Sequence, residues 1–339
     1  MTPSATPAAL SSTPVAAGSA IEQTTALVAG ELAEVEALLE RLLQSSIAII
    51  PELGGQLAFA GGKRFRPLVT LLAARATGFI DPVRITIAAV GELLHTATLL
   101  HDDVIDSGEF RRGRPTARLQ YGNGMAVLTG DFCLARGLQA IAHTGRLHAV
   151  QTLSDAVTRM AEGEVAQLQI AGDTTPDRDR YYLVIDRKTA ALIAWCASVG
   201  GLPGEAHVAA LHRYGLEIGY AFQIADDVLD YGGLLQDTGK TRGQDLRDGK
   251  LTLPLIFACE RDPALARAVA QLLSAGPPVD PAAAAAIVER VAGSPALELA
   301  ARAAEAHADR AIEQLAALPP SAARDALAEL ARHVARRLR

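Results

Sequence analysis

The sequence predicts an all-α protein with one continuous core. Its 339 residues are 50% hydrophobic but only 4% aromatic, and the apolar residues fall in long stretches rich in Ala and Leu, which favours helices. No segment alternates convincingly between polar and apolar residues with the period of two that a half-buried strand shows. The only internal echo is a doubled aspartate cluster, so the pattern does not indicate a solenoid.

The chain begins with a segment of different composition. Residues 1–20 are mostly Ala, Ser, Thr and Pro without a charged side chain, and such a composition cannot bury enough surface to order itself. From Ile21 to about Ile50 the apolar residues keep helical spacing with Glu on the opposite face, which indicates an amphipathic helix for packing or for a dimer contact. We therefore expect a disordered tail over 1–20 and one domain over 21–339.

The charge and the cysteines restrict the class of protein. The net charge of -6 comes without a dominant basic patch, so a nucleic-acid partner is not expected. Cys133, Cys196 and Cys259 are far apart in apolar segments, as buried cysteines of a reducing compartment are. No uninterrupted apolar run reaches the ~18 residues of a membrane span, and the first twenty residues lack the basic start of a targeting peptide. We expect a cytoplasmic protein with at most peripheral membrane contact.

A basic, glycine-rich turn at 61–67 precedes one of the predicted helices. Pro67 suits the first turn of that helix, and the glycines before it allow the backbone to turn tightly. Because the N-terminus of a helix attracts anions, Lys63 and Arg66 beside it indicate an anion site. A basic turn on the surface is the alternative.

Two aspartate clusters dominate the sequence. Each follows an apolar helical run, and together they comprise Asp102, Asp103 and Asp106, then Asp226, Asp227 and Asp230. Residues four apart share a helix face about 6 Å apart along the axis, where like charges destabilise the helix. A cation must therefore lie between them, and carboxylate oxygens suit Mg²⁺, which completes its coordination with water and substrate phosphates. Facing helices with one cluster each would hold a diphosphate through shared metals, whereas the alternative is two solvated acidic helix ends.

Basic and amide side chains recur near the clusters. Arg111 and Arg112 follow the first cluster in a loop marked by glycines and a proline, and arginine grips phosphate oxygens in a bidentate manner. Further along the chain are Lys188, Thr189, Gln223, Lys240 and Lys250. Helices are expected over about 82–106, 124–142, 147–172, 178–200 and 206–230, and from 253 to 339 with a break at Pro319-Pro320.

In this order, the motifs resemble those of the trans-isoprenyl diphosphate synthases, over about residues 22–339. The shared features are the Gly-Gly-Lys-Arg-x-Arg-Pro turn at 61–67, the aspartate motifs at 102–106 and 226–230, Arg111-Arg112-Gly113, Lys188-Thr189, Gln223, Lys240 and Lys250. The resemblance implies an isoprenoid-synthase helical bundle around a deep central cavity, usually in a homodimer.

The same resemblance implies a role for each matching residue. Side chains for the diphosphate of isopentenyl diphosphate would be Lys63, Arg66, His95 and Arg112. Those for the allylic diphosphate would be Arg111, Lys188, Thr189, Gln223, Lys240 and Lys250. Asp102, Asp106 and Asp226 would ligate about three Mg²⁺ ions per site, with Asp103, Asp227 and Asp230 bonded mainly to metal-bound water. The groups expected to be catalytic are Asp102, Asp106, Lys188 and Asp226.

The implied reaction is the ionisation of an allylic diphosphate, attack by isopentenyl diphosphate and loss of a proton. Such chemistry needs cations at the leaving group and a dry apolar wall elsewhere. A terpene cyclase would share one aspartate cluster but lack Lys63, Arg66 and Arg112. A non-catalytic subunit of a heteromeric synthase is the other alternative, although such subunits generally lose acidic or basic ligands and none is missing in this sequence.

Product length depends on the wall of the cavity. Ala97 and Thr98 lie about one turn before Asp102, where short-chain relatives tend to carry a bulky aromatic residue. These small side chains predict an open tunnel, unless they are merely compact residues in a helix contact, and Leu134, Leu138 and Ile141 are candidates for its floor. We expect a quinone side-chain precursor of roughly seven to ten isoprene units, with geranylgeranyl or farnesyl length as the alternative.

Overall fold

A computed structural model of the chain describes residues 17–60, 64–111, 113–199, 205–232, 242–276 and 279–336. Helices account for nearly all of its regular structure, which confirms the all-α prediction. The elements before residue 144 are α1 (Ala17–Ala26), α2 (Ala29–Leu43), α3 (Ile49–Ala58), α4 (Phe65–Ala76), α5 (Val83–Ile105), β1 (Phe110–Arg111), β2 (Arg114–Pro115), α6 (Ala117–Tyr121) and α7 (Asn123–His143).

The remaining elements include one π-helical and one 3₁₀ segment. They are α8 (Leu147–Ile170), α9 (Arg178–Ile185), the π segment (Asp186–Ala190), α10 (Ala191–Val199), α11 (Glu205–Gly232), α12 (Gln244–Arg247), α13 (Leu253–Arg261), α14 (Pro263–Leu273), α15 (Pro281–Ala292), α16 (Ala296–Gln314), the 3₁₀ turn (Leu315–Ala317) and α17 (Ala322–Arg336). Helices α5 and α11 carry one aspartate cluster each near their C-terminal ends.

The core places α5 and α11 at its centre. Helix α5 packs against α2, α4 and α7, while α11 packs against α10, α16 and α17. Leu93 and Leu100 of α5 belong to the same buried cluster as Tyr214 and Ile218 of α11. Each fully buried side chain of this size stabilises the fold by roughly 1.5 to 3 kcal/mol relative to an exposed one. This shared core holds the two cluster-bearing helices in one bundle.

The predicted helix over 21–50 is wrong in its continuity, because the structure divides that stretch among α1, α2 and α3. Between α2 and α3, the Ser45 hydroxyl accepts a hydrogen bond from the backbone N–H of Ile47 at 3.1 Å, which favours a turn over another helical turn. Helix α1 already begins at Ala17, and residues 1–16 of the predicted tail lie outside the described residues.

The Ala-rich C-terminal region also has more breaks than the one predicted at Pro319-Pro320. Asp262 caps α14 by accepting hydrogen bonds from the N–H groups of Ala264 and Leu265, at 2.9 and 3.0 Å. Asp280 caps α15 in the same manner. Each cap precedes a proline that suits the first helical position, so the sequence Asp-Pro starts a new helix at both places.

A short antiparallel ribbon follows the first cluster and was not predicted. Phe110 pairs with Pro115 and Arg111 with Arg114, and strands of two residues are too short for alternation to appear in the sequence. Gly113 adopts a positive φ of 74° within the turn, a conformation that glycine reaches without strain. The ribbon fixes the position of Arg111 beside α5.

Helix α5 is long and apolar enough to cross a membrane by length and composition. Its apolar run is not uninterrupted, because Arg84 and Glu92 lie within it. Most of it is buried among the other helices. Buried core helices often pass the same test, because most of their side chains are apolar.

Candidate active site

Both aspartate clusters open onto one cavity of about 1110 Å³. Asp102 and Asp106 reach it from α5, and Asp226 and Asp230 reach it from α11. The sequence predicted that facing helices would bring the clusters together, and the described residues have this arrangement.

The first carboxylate of the α5 cluster faces a lysine from the π segment. Asp102 Oδ1 is 3.7 Å from Lys188 Nζ, and that ammonium also contacts the carboxylate of Glu164 on α8. Burial raises the pKa of Asp102 to about 6, an effect that Lys188 opposes and the charges of Glu164 and Asp106 reinforce. Lys188 therefore shares its charge between Asp102, which lines the cavity, and Glu164.

A second lysine covers the other end of the same cluster. Lys250 Nζ donates hydrogen bonds of 3.3 Å to both carboxylate oxygens of Asp106, and it lies 3.6 Å from Asp248. Burial lowers the pKa of Lys250, but the charges of Asp106, Asp245 and Asp248 outweigh burial and raise it. This lysine is therefore a fixed positive charge beside Asp106.

The middle carboxylate of the first cluster is turned into the protein. Asp103 is buried, and its Oδ1 accepts a hydrogen bond of 2.8 Å from Arg111 Nε of the ribbon. Burial raises the pKa of Asp103, and the charge and hydrogen bond of Arg111 oppose that rise. Its Oδ2 is also buried and has no hydrogen-bond partner among the described residues. Arg111 lines the cavity while it is paired with this carboxylate.

The second cluster is held by a hydrogen-bonded chain of four side chains. Tyr181 donates to Asp227 Oδ2 at 2.6 Å, and Gln223 Nε2 donates to Asp227 Oδ1 at 2.9 Å. Thr189 donates in turn to Gln223 Oε1 at 2.8 Å. Burial and the charge of Asp245 raise the pKa of Asp227, although the hydrogen bonds from Tyr181 and Gln223 lower it. Gln223 thus connects the second cluster to the Lys188-Thr189 segment.

Asp230 binds the backbone at the start of α12. Its two carboxylate oxygens accept from the N–H groups of Gln244 and Asp245, at 3.1 and 3.2 Å. Its carbonyl oxygen accepts from the N–H of Gly243 at 2.8 Å. These bonds begin α12 and bring Asp245 and Asp248 to the cavity.

The residues predicted for isopentenyl diphosphate lie apart from this cavity where they are described. Arg66 and His95 are half-buried on α4 and α5 and do not line it. Burial lowers the pKa of Arg66, which the charges of Glu92 and Asp226 oppose. Arg66 Nε and Glu92 Oε2 are both buried with no hydrogen-bond partner in the described part of the chain. Lys63, Arg112 and Lys240 lie outside the described residues.

The residues predicted to control product length lie in packed helix contacts. Ala97 is only 3% exposed and belongs to the main buried cluster, and the Thr98 hydroxyl donates to the carbonyl of His95 at 2.8 Å. The floor candidates Leu134, Leu138 and Ile141 pack with a neighbouring cluster. Among the described residues, none of these five lines the cavity next to the aspartates.

The sequence reasoning missed three carboxylates and one phenol that adjoin the predicted site residues. They are Glu164, Asp245, Asp248 and Tyr181. Asp245 and Asp248 lie three residues apart in the polar stretch before Lys250, the same spacing as Asp103 and Asp106. This spacing could have identified them from the sequence. Glu164 and Tyr181 are single residues in helices, and only the tertiary structure brings them to Lys188 and Asp227.

The residues of the cavity fit a divalent metal such as Mg²⁺. Asp102, Asp106 and Asp226 supply hard carboxylate oxygens to one space, together with basic groups for the phosphates that usually complete the Mg²⁺ coordination. In the described ranges, no three acidic, histidine or cysteine side chains come close enough to form a ready-made metal cluster. A Mg²⁺ site that takes several of its ligands from the substrate and from water does not need such a cluster.

Known proteins resemble this chain over most of its length. The chain is 38% identical to octaprenyl diphosphate synthase of Escherichia coli over 321 residues, which cover 93% of this chain and 98% of that protein. It is 37% identical to heptaprenyl diphosphate synthase component 2 of Geobacillus stearothermophilus, over 91% of this chain and 96% of that protein.

A solved structure shows the same fold. The polyprenyl synthase from Caulobacter crescentus CB15, complexed with calcium and isoprenyl diphosphate, superposes with a TM-score of 0.89 at 39% identity. The alignment covers 93% of this chain and 97% of that one. The polyprenyl synthetase family profile matches residues 48–291. The chain therefore belongs to the polyprenyl synthetase family of trans-prenyltransferases.

Proposed function

We propose that this chain condenses isopentenyl diphosphate with an allylic diphosphate to give an all-trans long-chain polyprenyl diphosphate. One observation carries the proposal: two aspartate clusters from different helices meet in a single cavity that also holds Lys188, Arg111 and Lys250. This combination of carboxylates and cations suits a metal-bound diphosphate leaving group. The calcium and isoprenyl diphosphate in the related Caulobacter structure support it.

Asp102, Asp106 and Asp226 would hold Mg²⁺, about three ions per site. When bound, the metal supplies Lewis-acid stabilisation of the negative charge on the leaving diphosphate. Lys188 and Lys250 lie 3.7 and 3.3 Å from Asp102 and Asp106. Each ammonium can therefore exchange a carboxylate oxygen for a phosphate oxygen with a small movement, and so bind and orient the allylic diphosphate.

For isopentenyl diphosphate, we assign Lys63, Arg66, His95 and Arg112 to its diphosphate. Arg66 does not line the cavity, but its buried Nε has no protein partner in the described part of the chain, and the charge of Asp226 acts on it. Both features support this assignment. A buried donor without a partner is costly, and a diphosphate oxygen would satisfy it.

The product is proposed to contain roughly seven to ten isoprene units and to serve as a quinone side-chain precursor. The octaprenyl and heptaprenyl synthases among the similar proteins support this length. The small Ala97 and Thr98 side chains permit a chain to pass if the helix contact around them opens. Geranylgeranyl or farnesyl length remains the alternative for the assay below.

The chain is further proposed to act as a cytoplasmic homodimer. Helix α7 exposes Met125 and Leu128, at 46% and 65%, and α6, which packs against α7, exposes Leu119. Large apolar side chains exposed on two neighbouring helices favour an interaction site, and a twofold dimer is the commonest way to cover one. A subunit of a two-component synthase is the second candidate, favoured by the likeness to heptaprenyl diphosphate synthase component 2.

One assay tests the proposed activity and product length. The purified protein alone, given Mg²⁺, isopentenyl diphosphate and an allylic starter, should form dephosphorylated products of long-chain length on chromatography. Asp226→Ala should reduce kcat by about 10²-fold or more, whereas Asp155→Ala on the exposed face of α8 is the matched control and should not. Absence of product from the wild-type protein alone, with activity restored by a partner, would instead establish a subunit of a heteromeric enzyme.

A further inference from the structure

The helix from α9 to α10 changes its winding where it reaches the cavity. Residues Asp186–Ala190 form a π segment, and Lys188 and Thr189 lie in it. Single π turns inside α-helices are uncommon and occur mostly at functional sites. Such a turn persists only where surrounding structure holds it, so the neighbours of the segment are informative.

Two glycines allow the flanking helices to approach the backbone of the segment closely. A Cβ atom added to Gly163 of α8 would lie 2.7 Å from the backbone nitrogen of Lys188. A Cβ atom added to Gly219 of α11 would lie 2.6 Å from Cα of Ala190. Both distances are shorter than a carbon contact allows. The segment is therefore wedged between α8 and α11, but contacts with glycine do not fix its rotation about the helix axis.

The side chain of Asp186 links the π segment to both flanking helices by hydrogen bonds. Its Oδ2 accepts a hydrogen bond from Arg159 of α8, and its Oδ1 accepts one from the Tyr220 hydroxyl of α11 at 2.5 Å. Each oxygen is thus held by one of the two helices that also contribute the glycine contacts. Asp186 lies two residues before Lys188 and outside the cavity lining.

On the cavity side, the rotation of the segment about the helix axis determines which groups Lys188 and Thr189 contact. Lys188 Nζ contacts Glu164 and lies 3.7 Å from Asp102, and Thr189 donates to Gln223 at 2.8 Å. A slip of one residue along a helix turns every side chain by about 100°. Such a slip would remove both Lys188 and Thr189 from their partners.

We propose that Asp186 is a positioning residue that fixes the rotation of the π segment, so that Lys188 and Thr189 face the allylic diphosphate. It acts through its two hydrogen bonds and touches no substrate. The proposal rests on the function proposed above, because it needs Lys188 and Thr189 to bind the allylic substrate. Removal of the carboxylate should therefore weaken binding of that substrate and spare isopentenyl diphosphate.

The test compares Asp186→Ala with Glu162→Ala. Glu162 pairs with Arg187 at 2.7 Å and joins the same helix to the same segment, but on the exposed surface, so it is a matched control. Asp186→Ala should raise KM for the allylic diphosphate about tenfold, since a misplaced binding group can cost about one to two orders of magnitude. It should change KM for isopentenyl diphosphate less than twofold. Glu162→Ala should change neither constant. Asp186→Asn keeps an acceptor for Tyr220 and should give an intermediate KM.

Thermal unfolding of each variant separates positioning from loss of fold. If Asp186→Ala does not fold, Tyr220→Phe removes one of the two hydrogen bonds and should raise the allylic KM alone, by a smaller factor. Equal rises in both KM values, or an Asp186→Ala variant that matches Glu162→Ala, would overturn the proposal. An inactive wild-type protein would refute the proposed function itself, which is a distinguishable result.

Discussion

The Tyr181→Phe substitution tests whether the buried second cluster depends on its phenol. Tyr181 donates the 2.6 Å hydrogen bond to Asp227 Oδ2, and Asp227 is only 2% exposed. Phenylalanine keeps the ring that packs with Ile224 and Val228, so the change removes the hydroxyl and little else. Water has poor access to the carboxylate oxygen that is left without its donor.

The expected cost follows from that burial. A buried acceptor that loses its partner destabilises the fold by about 1 to 3 kcal/mol. Given an unfolding entropy of about 2.1 cal/mol/K per residue, a chain of this length should lose about 1 to 4 °C in its unfolding midpoint. The hydrogen bond lowers the pKa of Asp227 and so favours its ionised form. The loss should therefore shrink when the pH falls below that pKa and the carboxyl group is protonated.

Urea unfolding of metal-free protein, followed by circular dichroism at two pH values, measures this cost. Tyr182→Phe is the matched control, because the neighbouring hydroxyl makes only a 3.3 Å contact with His307 away from the aspartates. Its effect should be smaller and independent of Asp227. A Tyr181→Phe variant as stable as wild type at neutral pH would refute the argument that the hydroxyl satisfies a buried carboxylate.

Three further predictions concern pH, product length and assembly. Because burial raises the pKa of Asp102 from 3.8 to about 6, metal-free protein retains a proton that the unfolded chain has lost. Its free energy of unfolding should therefore fall by up to about 3 kcal/mol as the pH rises from about 4 to about 6, and Asp102→Asn should show less of this fall; superimposable urea-unfolding profiles would contradict it. Ala97→Phe should shorten the product on chromatography while the first condensation persists, and an unchanged length would exclude Ala97 from the tunnel wall. Leu128→Asp should give a mass near 35.5 kDa by light scattering, half that of wild type, whereas Ile80→Asp at another exposed position is the control; a monomeric wild type would refute the dimer.

The sequence alone determined the character of the site. Two aspartates four residues apart on a helix share a face wherever that helix lies, so Asp102 and Asp106 could be assigned to one face without a structure. The apolar runs around them also located α5 and α11 correctly. These are local properties of a helix, and local sequence is sufficient to specify them.

Helix ends and the π segment were harder to predict from the sequence. The caps at Asp262 and Asp280 depend on short signals that an Ala-rich stretch conceals. The π segment at Asp186–Ala190 has no sequence period of its own, because glycines of two other helices and the partners of Asp186 hold it in place.

Only the tertiary structure decided which groups meet. Lys188 was expected at a phosphate, and the fold places it between Asp102 and Glu164. Gln223 was expected to bind substrate, and both polar atoms of its amide are used within the protein, toward Thr189 and Asp227. The physical reason is that the partner of a buried charge is chosen by the packing of distant helices. That packing is set by the apolar faces of the helices. The pattern of apolar residues in the sequence does not indicate which polar side chains the packing will bring together.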